Sequence, residues 1–208
     1  MNQELILSIS YCGPLNYFAM MARYRKIIFE RHENFPKQTY RNRCKILGAN
    51  GPIVLSIPVI RGRVHKVKIC DLKISYDMDW QKQHFKSIES AYRHSPFYEY
   101  YIDYFREFYF NNYKFLWEFN MLILEKIIDV IEMEISYRPT KKFYNGENDY
   151  DDHRYNTFSD ENIGYEEINH PVYRQVFSDK FDFIPNLSIL DLLFNKGPET
   201  LEYLEKLR

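Results

Sequence analysis

Residues 5–9 read Leu-Ile-Leu-Ser-Ile, a nearly unbroken apolar run that predicts a buried strand. Tyr11-Cys12-Gly13-Pro14 ends it, and Pro14 suits the first turn of a helix over 14–23. Leu15, Phe18, Ala19 and Ala22 recur there at helical spacing. Lys-Ile-Ile-Phe-Glu at 26–30 predicts a second strand. Strand, short crossover helix and strand make a small βαβ unit with a parallel pair. Ligands in such sheets gather at the carboxyl ends of strands. The first strand ends toward Tyr11 and Gly13, the second at Glu30, Arg31 and His32.

Residues 39–47 predict a third strand, 48–52 a turn, and 53–60 the most hydrophobic strand, so the two make an antiparallel hairpin. Pro58 lacks an N–H donor, which puts its end of the strand at an edge or a bulge. Residues 64–69 and 72–76 are shorter strand candidates. From Asp79, a capping residue, the period changes: Trp80, His84, Ile88 and Ala91 or Tyr92 recur on one helical face until Ser95-Pro96. Helices follow over 97–110 and 113–135, the latter the longest, with Leu116, Phe119, Asn120, Ile123, Ile127, Val130 and Ile131 inward. Residues 138–162 are polar and acidic and predict an exposed, mobile loop. A calcium loop there would need glycine at its sixth position, and counting from Asp149 that position is Arg154. Residues 173–177 read as a strand or an extended arm, 187–194 as an apolar helix ending at Gly197-Pro198, and 199–207 as a short amphipathic helix.

The fold class is therefore α+β: a small mixed sheet in the N-terminal part, with a C-terminal helical part packed on it. The expected organisation is one domain: 1–78 mainly sheet with one helix, 79–137 helical, 138–170 a mobile acidic loop, 171–208 the C-terminal helices.

Composition changes this picture little. A net charge of −1 argues against a nucleic-acid coat. Aromatics at 18 %, with 19 Tyr and 16 Phe, are the opposite of a disordered composition. The three cysteines, Cys12, Cys44 and Cys70, are scattered without a C-x-x-C, which argues against a disulfide framework and a structural zinc site. No run reaches roughly 18 apolar residues, so no membrane span is expected. The start shows no signal-peptide pattern, and a cytoplasmic protein is the expectation.

Charge matters most between Lys37 and Lys45, where two lysines and two arginines stand without an acid. If that segment is extended, Lys37, Thr39, Arg41, Arg43 and Lys45 share one face, and Gln38, Tyr40, Asn42, Cys44 and Ile46 the other. Cations so aligned either guard a solvated edge strand or hold an anion, for which arginine's planar fork is suited. No glycine-rich phosphate loop occurs and the six histidines lack metal-ligand spacing, so no cofactor and no metal are expected. His84, one turn after Trp80 on an apolar face, reads either as a general base or as a core histidine satisfied by a carbonyl. Cys12, before a helix amino terminus, reads as a nucleophile or as a small buried hydrophobe. Glu30 and Glu33 read as ordinary surface acids.

Several blocks in order resemble the WbqC-like family: Tyr11 with Gly13-Pro14; Lys37, Tyr40-x-Asn42-Arg43 and Ile46; Leu55-Ser56-Ile57-Pro58-Val59; Trp80-x-x-x-His84; Ala91-Tyr92; Ser95-Pro96-Phe97-Tyr98; and Leu187 to Phe194 before Gly197. The chain departs from it in having Glu30, His32 and Glu33 where an aspartate pair is common, and Tyr40 where a tryptophan is. The resemblance implies a place in bacterial surface polysaccharide (O-antigen, lipopolysaccharide) biosynthesis. There it implies a transferase that attaches glycine or another acyl group to an amino sugar. On that reading Lys37, Arg41 and Arg43 hold the phosphates of a nucleotide-linked or lipid-linked sugar. Asn42 and Tyr40 orient the sugar or acyl group, His84 takes a proton, and Tyr11 and Tyr92 line the cleft. The competing reading is a non-catalytic accessory or scaffold protein of the same machinery, using the tyrosine-rich helical surface. RNA contact through the basic strand with Arg61, Arg63, Lys66 and Lys68 ranks third, given the near-zero net charge.

Overall fold

The computed structural model describes residues 3–60, 66–155 and 169–207. Arg61, Arg63 and His65, and the acidic stretch from 156 to 168, lie outside the described residues. In chain order the elements are β1 (Leu5–Ser8), α1 (Leu15–Tyr24), β2 (Lys26–Glu30), β3 (Arg43–Gly48), β4 (Gly51–Ser56), β5 (Val59–Ile60), a 3-10 turn (Ile69–Asp71) and β6 (Lys73–Ile74). There follow α2 (Trp80–Tyr92), α3 (Tyr98–Phe110), α4 (Leu116–Val130), β7 (Ser136–Pro139), β8 (Asp151–Asp152), α5 (Ile189–Lys196) and α6 (Thr200–Lys206). The α+β expectation holds: a βαβ unit and a separate hairpin make up the N-terminal part, and the helical segment packs on them.

The apolar run of β1 is wholly buried and pairs in parallel with β2, Leu5 opposite Ile27 and Ser8 opposite Glu30. Between them α1 buries Leu15, Phe18, Ala19 and Ala22, as its spacing requires. It ends at Arg25, whose φ of 58° turns the chain and lets its N–H reach the Met21 carbonyl. The hairpin of β3 and β4 is antiparallel and closes at Gly48 and Gly51; Gly51 sits at φ 111°, a conformation glycine adopts without steric cost.

The helices meet around aromatic rings. Phe194 of α5 contacts Tyr92, Tyr98 and Phe105, and Phe119 of α4 contacts Trp80, Phe108 and Tyr113. Among the described residues no helix is long and apolar enough to cross a membrane.

Five expectations are corrected. The cationic stretch is extended only from Arg43; residues 39–42 form a turn, preceded by Gln38 at φ 61°. Face alternation therefore fails, and the neighbours Arg41 and Asn42 are both buried. The apolar run 53–60 breaks at Pro58, so β5 pairs with β6 instead of continuing β4; Lys68, in the predicted strand 64–69, makes only an isolated bridge to Asn34 before the 3-10 turn. Helix α4 is shorter than 113–135, closing near Glu132 at φ 55°.

The largest correction concerns residues 138–162. Within that stretch and just before it, β7 pairs in parallel with β2, and β8 in parallel with β1. The sheet is thus four-stranded, ordered β7-β2-β1-β8 and all parallel. The outer strands are short and polar because one side of each meets solvent, which removes the apolar signal on which a strand prediction depends.

Candidate functional site

Ile6 and Ile28 on the far face of the sheet, away from α1, form a small apolar cluster with Tyr144. Two residues further along each strand the same face presents Ser8 and Glu30, both fully buried. All four strands run the same way, so Ser8, Glu30, Thr140 and Asp152 reach one end of the sheet together.

There the charges interlock. Glu30 accepts from the His32 N–H (2.7 Å), the Thr140 hydroxyl (2.8 Å), the Tyr144 N–H (2.8 Å) and Arg154 Nη1 (3.1 Å). Arg41 grips Glu33 with two donors, Nε to Oε1 at 2.7 Å and Nη2 to Oε2 at 2.6 Å. Its Nη2 also lies 2.5 Å from Ser8 Oγ and 3.2 Å from the Arg154 carbonyl. Arg154 donates through Nε and Nη2 to Asp152, at 2.9 and 2.7 Å, and its guanidinium lies over the rings of Tyr144, Phe143 and Tyr155. Glu30 and Glu33, read from the sequence as surface acids, are almost completely buried, and each faces a guanidinium.

Asp152 is the opening of this network, with 35 % of its side chain exposed. Burial works against its charge, but the hydrogen bonds from Arg154 outweigh it and hold the carboxyl below its ordinary range. Beside it Tyr155 is exposed.

His84 belongs to a different assembly. It is 5 % exposed on α2, edge-on to Trp80 at 5.1 Å and stacked on Tyr11 at 5.8 Å. Its Nδ1 lies 3.0 Å from the Tyr11 hydroxyl, which is 2.8 Å from that of Tyr109, and the Ser56 carbonyl bonds the ring as well. Burial pushes the imidazole down to about 4, and it is neutral at physiological pH.

The remaining sequence candidates scatter. Tyr40 is buried, and its carbonyl accepts from the Tyr11 N–H and the Ser10 hydroxyl. Asn42 donates to the Ile57 carbonyl, and its own carbonyl accepts from the Ile57 N–H. Lys37 is exposed and Arg43 half-buried in β3. Tyr92 lies in a third group, with Asp191 and Tyr173, and accepts from the Leu47 N–H. Burial pushes the Cys12 thiol well up, away from nucleophilic character. So Arg41 alone of the named substrate-binding residues enters the ionic network, while Tyr11 and His84 meet each other.

Sequence reasoning missed Ser8, Glu33, Thr140, Asp152 and Arg154. One signal was present: Arg154, the residue that rules out a calcium loop, is a cation in an acidic stretch, and it became the centre of the network.

Comparison with known proteins gives one result. The model of the WbqC-like protein family matches residues 10–158 and 140–203. No curated protein and no solved structure matches the chain.

Proposed function

Since the chain belongs to the WbqC-like protein family, we propose that it is a transferase attaching glycine or another acyl group to an amino sugar, with its active centre at the carboxyl end of the parallel sheet. Membership itself carries the general association with surface polysaccharide biosynthesis. The chemistry rests on one observation: four parallel strands deliver a partly exposed, ionised carboxylate, Asp152, to the end of the sheet where such folds place their ligands.

An amino sugar arrives as an ammonium and must lose a proton before it attacks. One proton leaves the ammonium to solvent, which frees the lone pair of the amine held by Asp152; as the C–N bond forms, Asp152 accepts the second proton, the bond to the donor's leaving group breaks, and that proton passes to the leaving group. Arg154 orients Asp152, and Glu30 orients Arg154. Arg41 with Glu33 fixes the floor beneath a nucleotide-linked or lipid-linked sugar. Tyr40 and Asn42 brace the turn that carries Arg41. Tyr11, Tyr92 and the neutral His84 lie in other assemblies and act in the body of the fold, outside the centre itself. The reaction takes place in the cytoplasm.

The test is Asp152→Asn in a strain whose polysaccharide can be assayed. The expected result is unmodified polymer from a folded protein; normal modification would remove Asp152 from the chemistry. A second reading, an accessory protein, is favoured by the failure of Arg41, Arg43 and His84 to share one hollow, and by the exposed Tyr100, Tyr104 and Phe110 of α3. It expects Asp152→Asn to be silent while Tyr100→Ser with Tyr104→Ser reduces polymer output.

A further inference from the structure

The turn after α2, the end of α5 and the arm from Val172 to Val176 enclose an open cavity of about 620 Å³. That is a size typical of small-molecule sites. Two of the sequence blocks noted above meet at its rim: the Phe97 N–H bonds the Phe194 carbonyl, and the Phe97 ring lies over Gly197, where a Cβ would come within 2.5 Å. None of this enters the proposed chemistry.

The lining is asymmetric in charge. His94, Arg174 and Lys196 face the cavity, and among the described residues no carboxylate lines it. Lys196 is shared with Glu199 outside. Arg174 is exposed, and among the described residues no carboxylate pairs with it. Asn195 donates one amide hydrogen to the Asp191 carbonyl, leaving its second hydrogen and its oxygen to the cavity. Pro96 and Val172 add an apolar patch.

The wall is held in advance. Tyr173 donates to Asp191 Oδ2 at 2.5 Å, and Gln175 Nε2 reaches the same oxygen at 3.1 Å. Gln175 also exchanges hydrogen bonds with the Ile184 backbone, at 2.9 and 3.0 Å. A fixed wall costs less ordering when a ligand arrives.

We propose that this cavity binds a sugar of mono- or disaccharide size bearing an oxyanion, either a carboxylate or a phosphate. Arg174 takes the anion with help from Lys196, Asn195 takes ring hydroxyls, and Pro96 and Val172 take the C–H face. That the ligand is a sugar rests on the polysaccharide reading above; that it is anionic rests on the lining alone.

Titration calorimetry on the full chain with glucuronate, glucose 1-phosphate, glucose and inorganic phosphate separates the terms. The expected result is binding of one or both anionic sugars, about tenfold or more tighter than glucose or inorganic phosphate. Which anionic sugar wins identifies the oxyanion. Arg174→Ala weakens that binding about tenfold, and Arg174→Lys restores part of it. Both substitutions are on the surface and leave the fold intact. Binding unchanged in Arg174→Ala, equal binding of glucose, or no binding of either anionic sugar overturns the proposal. Asp152→Asn is expected to bind the sugar as wild type does, so loss of transfer there with binding intact separates the two sites.

Discussion

Under the parallel sheet Glu30 and Glu33 are buried against Arg154 and Arg41, whereas beside α2 His84 is buried as a neutral imidazole. Both groups are buried, and the difference lies in their neighbours. Glu33 meets a guanidinium through two hydrogen bonds, and Glu30 meets one through a single bond beside three other donors, which offsets the cost of leaving water. His84 meets two aromatic rings, a phenol and a carbonyl, and neither of its polar partners is an anion. Neutral imidazole satisfies that environment; imidazolium would not. The first arrangement places a charged, partly open site at the end of a sheet, and the second a stiff, dry support.

The comparison breaks most visibly at Arg41. Arg41→Ala leaves Glu33 charged and buried without its partner, and is expected to lower unfolding free energy by about 3–5 kcal/mol in urea titrations. Arg41→Met combined with Glu33→Leu removes both charges and should recover most of that loss. If the single and double variants are equally unstable, the pair is not what holds the charge.

Acid titration sharpens the other side. His84 is lowered from 6.5 to about 4, so below pH 6.5 the unfolded chain takes up a proton that the folded one refuses. Its contribution is whole above pH 6.5 and is lost as pH falls toward 4, about 3 kcal/mol in all. Asp191 runs the opposite way: burial raises its carboxyl from 3.8 to about 6, so the folded state gains stability as pH falls through that window. The two overlap and partly cancel. The measurement is therefore unfolding free energy against pH in Asp191→Asn, compared with Asp191→Asn plus His84→Phe; a flat difference would mean that His84 is not buried neutral.

A smaller effect tests the same contrast from within the aromatic group. Tyr109→Phe removes one neutral hydrogen bond from the Tyr11 hydroxyl and leaves Tyr11 beside His84, so a loss of about 1 kcal/mol is expected. At the bottom of the scale Glu205→Ala, which breaks an exposed pair with Arg25, should stay within about 0.5 kcal/mol. Both are read from the same urea midpoints.

How far the sequence reached differed between these regions. The imidazole region was legible in part: the helical period placed Trp80 and His84 on one buried face, and a core histidine was one of the two readings. The ionic region was not. The assumption that 37–45 is one extended strand put Arg41 beside Lys37 and Arg43 on an outer face, and a single left-handed residue, Gln38, with the turn after it, undid that. Residues 138–155 carried no apolar period, so their two short strands were unreadable, and with them the partners of Glu30.

The order of the apolar runs alone determined the βαβ unit, the hairpin and the helices, because each signals itself within a dozen residues through its own periodicity. The tertiary structure decided which acids meet which arginines. That choice joins Glu30 to Arg154 across 124 positions, and no local pattern encodes it. A buried charge survives only where its counter-charge arrives from elsewhere in the chain, so such a site comes into being with the fold itself.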